Sequence, residues 1–402
     1  MTLTMLAAAA ATAMCPITLA GANVWTGEKY EKRDFKIGTG TATVAAGQLF
    51  LLPPLVDGHT HTIDTPRPGI DPVHERMLRA GILYALNPNN IRPDGPTPVP
   101  AANQVVLQAT GGGVTGPGGH PRPLYTMLAQ RGWAGPGVTP ANIAGRAFHE
   151  AATPAEARAA VARVKANGAA VIKLYLLDHE TAKPNGLSGE SFDAAAAEAK
   201  KLGLRPVVHV ESAADFARAV KAGVAGIVHT PYSVRSGTAR ESRLIAPEDA
   251  AAAAERGIVV VPTLTAGSSR LAGKRLEEML AIQRANLTTL RDAGVRIAVG
   301  ADNYALGLHD ELNLLRLTSL FEAPALITMA TENGMRLAQN RSGALTEAGA
   351  ADALGYFVDP TSDWPGLATP VLAIRGGQII LDDTGLLTQA CGAPALKSRW
   401  AP

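Results

Sequence analysis

Through the middle of the chain, short apolar runs alternate with Ala-rich stretches of helical spacing. Runs of this length read as buried strands, and strands alternating with helices predict repeated β-α units around a parallel sheet. Eight runs read as strands: Leu55 to His59, Gly81 to Leu86, Gln104 to Thr110, Ala170 to Tyr175, Arg205 to Val210, Ala225 to His229, Ile258 to Leu264 and Arg296 to Gly300. Helical spacing is clearest at Pro154 to Asn167, Ser191 to Leu202, Ala213 to Ala222, Pro247 to Arg256 and Leu271 to Ala293.

The two ends differ from the middle. Ile17 to Leu19, Asp34 to Ile37 and Gln48 to Leu51 read as β runs, as do Gly355 to Val358, Val371 to Arg375 and Gln378 to Leu381, with Gly376-Gly377 as a hairpin turn between the last two. Two terminal β segments predict one small sheet domain. The expected fold is α/β, a (β/α)8 TIM-like barrel over 54–340 with a small β-sandwich domain made by 1–53 plus 341–402. A length of 402 residues suits a barrel plus a smaller domain.

Composition narrows the class. Hydrophobic residues at 47% against 18% charged describe a packed globular chain and exclude disorder. A net charge of +2 with no basic block excludes a nucleic-acid partner and favours a small-molecule substrate. No stretch reaches the roughly 18 uninterrupted apolar residues of a membrane span. The N-terminus, Met1 to Ala13, is apolar and Ala-rich like a signal-peptide core but carries no Lys or Arg before Lys29, so cytoplasmic and exported (periplasmic) destinations both stay open. Cleavage near Ala20 or Ala22 would remove half of the apparent strand Pro16 to Trp25, and Met14 before Cys15 argues against lipidation. Cys15 and Cys391, near opposite termini, could meet if the ends form one small domain, but two free thiols are the simpler reading, and homo-oligomerisation is left open.

Candidate chemistry gathers at the predicted strand ends, where a β/α barrel places its site. His59 and His61, one residue apart, share a strand face and can approach a single metal ion. Lys173, His209, His229 and Asp302 recur on the same rim. Singly, each also fits a structural role: a snorkelling lysine, hydrogen-bonded core imidazoles, a helix cap. Together they point to a site.

In this order, His-x-His, then Lys, His, His and Asp at successive strands, the chain resembles the amidohydrolase superfamily of metal-dependent hydrolases. The similarity spans nearly the whole chain, from Val56-Asp57-Gly58-His59-Thr60-His61 to a return segment at Gly349 to Asp359, and is nearest to the imidazolonepropionase-like and prolidase-like branch. Pro54, where many relatives have Gly, departs from the pattern at a turn and touches no ligand. The resemblance implies two divalent metal ions, Zn²⁺ by ligand type with Mn²⁺, Co²⁺ or Ni²⁺ as alternatives. It also implies a carboxylated Lys173 bridging them, with His59, His61 and Asp302 on the more buried ion and His209 and His229 on the other. Metal-activated hydroxide would then attack, with Asp302 passing the proton to the leaving amine.

His120, in a Gly-Gly-His-Pro context, resembles a substrate-binding and catalytic loop histidine of prolidase-like relatives, and Arg122 offers a guanidinium for a substrate carboxylate. Tyr232, expected to be catalytic, and Tyr175 could each donate to an oxyanion; Asn303 and Tyr304 would line the mouth, and His179 is expected at the surface. The glycine run Gly111 to Gly119 lacks the ending of a nucleotide P-loop and reads as a loop of close backbone approach. Glu211 lies two residues after His209, which does not match the three-residue spacing of deaminase relatives. The expected reaction is hydrolysis of a carbon-nitrogen amide bond in an N-acyl amino acid, dipeptide or cyclic amide. Lactone, ester or phosphotriester hydrolysis on the same site is the alternative, and a non-catalytic scaffold of the same fold a third reading.

Overall fold

The structure, a computed structural model, describes residues 16–38, 40–63, 73–90, 100–135, 137–232, 239–347 and 351–400. The Ala-rich start of the chain, Cys15 and most of the Pro/Gly-rich segment 87–100 lie outside the described residues. Strands run in chain order as β1 (Ile17–Trp25), β2 (Tyr30–Ile37), β3 (Ala42–Ala45), β4 (Phe50–Leu52), β5 (Leu55–Asp57), β6 (Ile82–Asn87), β7 (Val106–Ala109), β8 (Gly113–Thr115) and β9 (Phe148–Glu150). They continue as β10 (Val171–Leu176), β11 (Arg205–Val210), β12 (Gly226–Val228), β13 (Val259–Val261), β14 (Arg296–Ile297), β15 (Ala353–Tyr356), β16 (Leu372–Arg375) and β17 (Gln378–Asp382).

The chain divides into two compact units, one comprising Met1–Pro54, Leu78–Gly81 and Ala344–Pro402, the other Leu55–Met77 and Ile82–Gly343. In the first, a seven-stranded sheet runs β17-β16-β15-β4-β1-β2, with β3 also paired to β1. Alternation along β1 buries Ile17, Leu19 and Val24 with Phe35, Leu49, Leu51 and Ile374 in one core. Among the described residues no cysteine is free, which corrects the reading of Cys391 as a thiol.

The second unit is the barrel. Its strands form a seven-stranded sheet, β14-β13-β12-β11-β10-β8-β9, and a three-stranded one, β5-β6-β7, and every pairing is parallel. All six residues of β10 are buried, as are five of six in β11, because helices cover one face and the barrel interior the other. Helices begin where the sequence supplies caps: Thr153 accepts from the Glu156 amide, and Ser212 and Asp215 form a reciprocal capping box.

The sheets meet through bonds outside regular pairing. The Gly58 amide donates to the Val299 carbonyl at 2.7 Å and the Asp302 amide to the His59 carbonyl at 2.9 Å, joining first strand to last. At the other seam the Asn89 side chain donates to the Ala147 carbonyl at 3.0 Å and accepts from the Gly113 amide.

Several strands differ from expectation. The glycine run enters the sheet as β8, and β9 pairs beside it. Glycine there is a packing requirement that patterning cannot register: a Cβ at Gly113 would lie 2.5 Å from both Asn89 Oδ1 and the Tyr175 ring and 3.2 Å from Lys173 Cβ. The expected strands ending in His229 and Gly300 stop early, at Val228 and Ile297, because the chain turns there to aim side chains inward.

Gly300 carries a testable constraint, since a Cβ on it would fall 2.5 Å from the His59 nitrogen and 2.9 Å from His59 Cβ. Gly300→Ala is expected to destabilise the protein by about 2 kcal/mol, as overpacking against backbone does. Gly307→Ala, with nothing within 4 Å, should stay near wild type. Urea unfolding midpoints of the two variants check this.

Candidate metal centre and active site

The parallel strands point their C-terminal ends one way, and the polar residues that follow those ends converge. From β5, His59 and His61 bring their Nε2 atoms to 3.2 Å from each other and each to 3.3 Å from Asp302 Oδ1. His229, just beyond β12, places Nε2 3.6 Å from Asp302 Oδ2. His59, His229 and Asp302 thus offer ligand atoms all within 4.8 Å of one another. Next to them, the His209 ring lies 4.1 Å from that of His229, centroid to centroid, and His120 lies 5.1 Å from His209 and 5.3 Å from Tyr175. Lys173 Nζ stands 5.3 Å from the centre of the Tyr175 ring. Register explains the last two: Tyr175 and His209 are Cα partners across β10 and β11, and Lys173 precedes Tyr175 by one alternation.

Burial fixes the charge states. It drives the imidazoles of His59, His209 and His229 well below their ordinary pKa, so they stand neutral with a lone pair each. Burial lowers His120 to about 4 and Lys173 to about 7, with Asp302 pulling the lysine back up. Burial also raises Asp302, but the neighbouring His59, His61 and His229 outweigh it and hold the carboxylate well below its usual range. The phenols of Tyr175 and Tyr232 are pushed up by burial and keep their protons.

This donor set fits a divalent cation. His229 Nε2 is buried with no hydrogen-bond partner, and it faces a carboxylate that already has two imidazole nitrogens against one oxygen. Neutral nitrogens and an anionic oxygen packed this closely are satisfied together by a positive ion, not by one another.

Several residues that sequence reasoning missed hold the candidate ligands. Asn87 Oδ1 lies 3.0 Å from His61 Nδ1, and Thr263 Oγ1 bonds His229 Nδ1, each fixing which nitrogen faces inward. Glu311 is fully buried, accepts from the Leu264 and Thr265 amides at 2.7 and 2.8 Å, and so pins the turn that carries Thr263. A signal existed: Glu311 occupies the apolar stripe Leu308, Leu312, Leu315 of the helix Leu308–Leu317, where an acid is out of place. Asp215 accepts from the amides of Asp178, His179, Glu211 and Ser212 and from His179 Nδ1 at 2.6 Å, tying the exits of β10 and β11 together. His179 is therefore part-buried, its ring turned in against Asp215 instead of lying at the surface, because the carboxylate needs its donor.

Other expected positions take different roles. Arg122 Nη1 bonds both oxygens of Glu150, at 2.8 and 2.7 Å, so its guanidinium is held by a protein carboxylate. Asn303 accepts from the Ala305 and Leu306 amides and donates to Ser269 Oγ at 3.0 Å, shaping its own loop. Tyr232 lies 6.3 Å from the His229 ring, and Tyr304 6.4 Å from that of His61. Glu211 Oε1 is 3.8 Å from His209 Nε2.

The profile of the amidohydrolase family matches residues 50–377. The chain belongs to the amidohydrolase family, and it is an enzyme that hydrolyses carbon-nitrogen bonds. Among solved structures, it is similar to a prolidase complexed with N-methylphosphonate-L-proline, with a TM-score of 0.67 and 18% identity over 91% of this chain and 99% of that one. It is also similar to ochratoxinase from A. niger (TM-score 0.69, 16% identity, 92% and 96% covered) and to molinate hydrolase (0.65, 15%, 97% and 98%). Comparison with curated proteins gives no match. Identities this low establish the shared fold; divalent metals are general in the family.

The support beneath the candidate ligands has a pH signature. Burial raises the Asp215 carboxyl, but hydrogen bonds from His179, Asp178 and Glu211 outweigh it and lower its pKa. A depressed folded pKa contributes stability that is present above the unfolded value, about 3.9, and is lost as pH falls through the folded one. Asp215→Asn should therefore cost about 2 kcal/mol near neutral pH, and the gap to wild type should close below about pH 4. Urea unfolding at both pH values measures it.

Proposed function

We propose that this chain is a binuclear metal-dependent amidohydrolase that cleaves the amide of an N-acyl amino acid or dipeptide. The observation that carries the reading is the convergence of His59, His61, His229 and Asp302 beside the buried Lys173 and His209. His59, His61 and Asp302 would hold the more buried ion and His209 and His229 the second, with a carboxylated Lys173 shared between them. Zn²⁺ suits these nitrogen and oxygen ligands, and Mn²⁺, Co²⁺ or Ni²⁺ would fit the same set.

Lys173 is suited to its part. An ammonium cannot ligate a cation, but an amine brought to about 7 by burial is substantially neutral at physiological pH. Its nitrogen can add to carbon dioxide, forming an N–C bond and releasing one proton, and the resulting carbamate presents two anionic oxygens. Divalent ions held here would supply polarisation of a carbonyl and a pKa of water lowered from 15.7 towards about 7.

Asp302 is placed to accept the proton as water adds to the amide carbon and to return it to the leaving nitrogen. Its carboxylate is anionic at neutral pH and central to the cluster. The Tyr232 hydroxyl keeps its proton, and neutral His120 has a ring N–H, so both suit an oxygen gaining charge at the carbonyl. Tyr175, packed against His120 and His209, would form a wall of the substrate site. The prolidase likeness supports the amino-acid-bearing amide over a cyclic one.

Turnover of N-acyl amino acids, dipeptides, hydantoins and lactones by metal-loaded protein tests the substrate reading. Release of a free amine from the first two is expected; turnover of lactones, esters or phosphotriesters without amide cleavage would overturn it. Lys173→Ala should reduce bound metal below two ions per chain by elemental analysis and abolish most activity, with partial rescue by a short carboxylic acid. Retention of two ions would refute the bridging role.

A further inference from the structure

Thr265 stands between two oxygen acceptors with one proton to give. Its hydroxyl oxygen lies 2.6 Å from the Ala301 carbonyl and 2.8 Å from Glu311 Oε2. Both are hydrogen-bond distances, and each bond requires a proton between its two oxygens. A carbonyl can only accept, so the Thr265 proton goes to Ala301. The proton in the second contact then comes from Glu311.

The surroundings suit a neutral acid. Glu311 is fully buried, and its remaining bonds come from the Leu264 and Thr265 amides at 2.7 and 2.8 Å. The titratable groups that act on it across the rim are Asp302, Asp57 and the Tyr232 phenol, none of them a cation. The helix Leu264–Ser268, against which it bonds, carries no charged residue. On its own helix His309 and Asp310 precede it, and Asp310 is exposed and accepts from the Gly307 amide. Burial, reinforced by Asp302 and opposed by the bonds from Thr265 and Leu264, raises the Glu311 carboxyl to about 7.

The same count of protons applies to Thr263. Its hydroxyl donates to the Pro262 carbonyl at 2.7 Å, so its bond with His229 Nδ1 uses the proton of the imidazole. His229 therefore carries its hydrogen on Nδ1 and its lone pair on Nε2, the atom that faces Asp302. Glu311 holds this threonine through the two amides that follow it. On the other side, the Ala301 carbonyl is held by Thr265, the Ala301 amide by Asp57, and the next amide, that of Asp302, by the His59 carbonyl. One buried acid thus reaches the backbone beside two candidate ligands.

We propose that Glu311 is a positioning residue held as a neutral carboxylic acid, whose proton on Oε2 is donated to Thr265 Oγ1 and so fixes the Ala301 carbonyl next to Asp302. Loss of that proton would turn the Thr265 hydroxyl towards the carboxylate. The buried Ala301 carbonyl would then lose its donor, and the Asp302 backbone would lose one of its restraints. The proton assignment is independent of any metal; its value to the cluster rests on the reading of His229 and Asp302 as ligands.

Infrared difference spectra of the metal-free protein, wild type minus Glu311→Gln, test the proton. At about pH 5.5, where an ordinary glutamate is ionised, the difference should contain the carbonyl band of a protonated carboxylic acid, fading as pH passes about 7. Asp57 is common to both proteins and cancels. Thr265→Ala leaves Glu311 in place and should shift the same band, which covers a Gln variant that does not fold. Carboxylate bands alone at about pH 5.5 would overturn the proposal. Hydrogen exchange of the Asp302 amide, again without metal, reads the positioning role. Thr265→Ala should speed it about 10-fold, the worth of one hydrogen bond, and Thr265→Ser, which restores the hydroxyl, should return it to the wild-type rate. Equal rates in all three proteins would overturn that role. Neither readout uses metal, so failure of the binuclear reading, seen as a wild type that binds no divalent ion, is told apart from failure of this one.

Discussion

Closure of the barrel and construction of the site are the same event in this chain. The two backbone bonds that join the first strand to the last, from Gly58 to Val299 and from Asp302 to His59, also set the His59 imidazole against the Asp302 carboxylate. Once that pair is fixed, His61 follows from strand alternation, and His229 is brought in from across the barrel. Any change that loosens the seam loosens the candidate ligands with it, so the geometry of the site and the integrity of the barrel depend on the same atoms. Gly58 and Gly300 mark how closely the two strands approach there.

Three buried acids underpin the rim, and they resolve the cost of burial differently. Asp215 collects four amides and an imidazole, enough hydrogen bonds to keep it ionised below its normal range. Glu311 and Asp57 have fewer donors, and burial lifts each to about 7. The difference lies in the number of donors set against desolvation, with nearby carboxylates, Asp302 among them, raising Glu311 and Asp57 further. Asp215 is thus a fixed anion tying two strand exits, whereas Glu311 and Asp57 respond to the electrostatics of the site they support.

Residues whose role follows from periodicity were legible from sequence. His59, His61, Lys173, His209, His229 and Asp302 each sit at or just past the end of an apolar run, and an alternation of two places them on the inner face. The parallel barrel and the terminal sheet were legible for the same reason. What was not legible depends on contacts across long sequence separations. Glu150 claims Arg122, Asp215 claims His179, and Asn89 bridges to Gly113 and Ala147. None of these pairings leaves a periodic trace. The strand status of the Gly113 segment was hidden because glycine carries no hydrophobic signal, although its packing against Lys173 and Tyr175 demands it.

At His229, Thr263 and Asp302 the backbone takes φ values of 71°, 55° and 46°, the left-handed region that side-chain-bearing residues avoid. Two of the three are candidate ligands and the third bonds one of them. Each such conformation costs on the order of 1–3 kcal/mol and persists only where its surroundings enforce it. The rim is therefore a store of mechanical tension, and relaxing it would make the molecule more robust as it made the candidate ligands diverge. Laboratory selection for heat tolerance alone would tend to discharge that store, so a hardier descendant of this enzyme should be sought with turnover kept under selection.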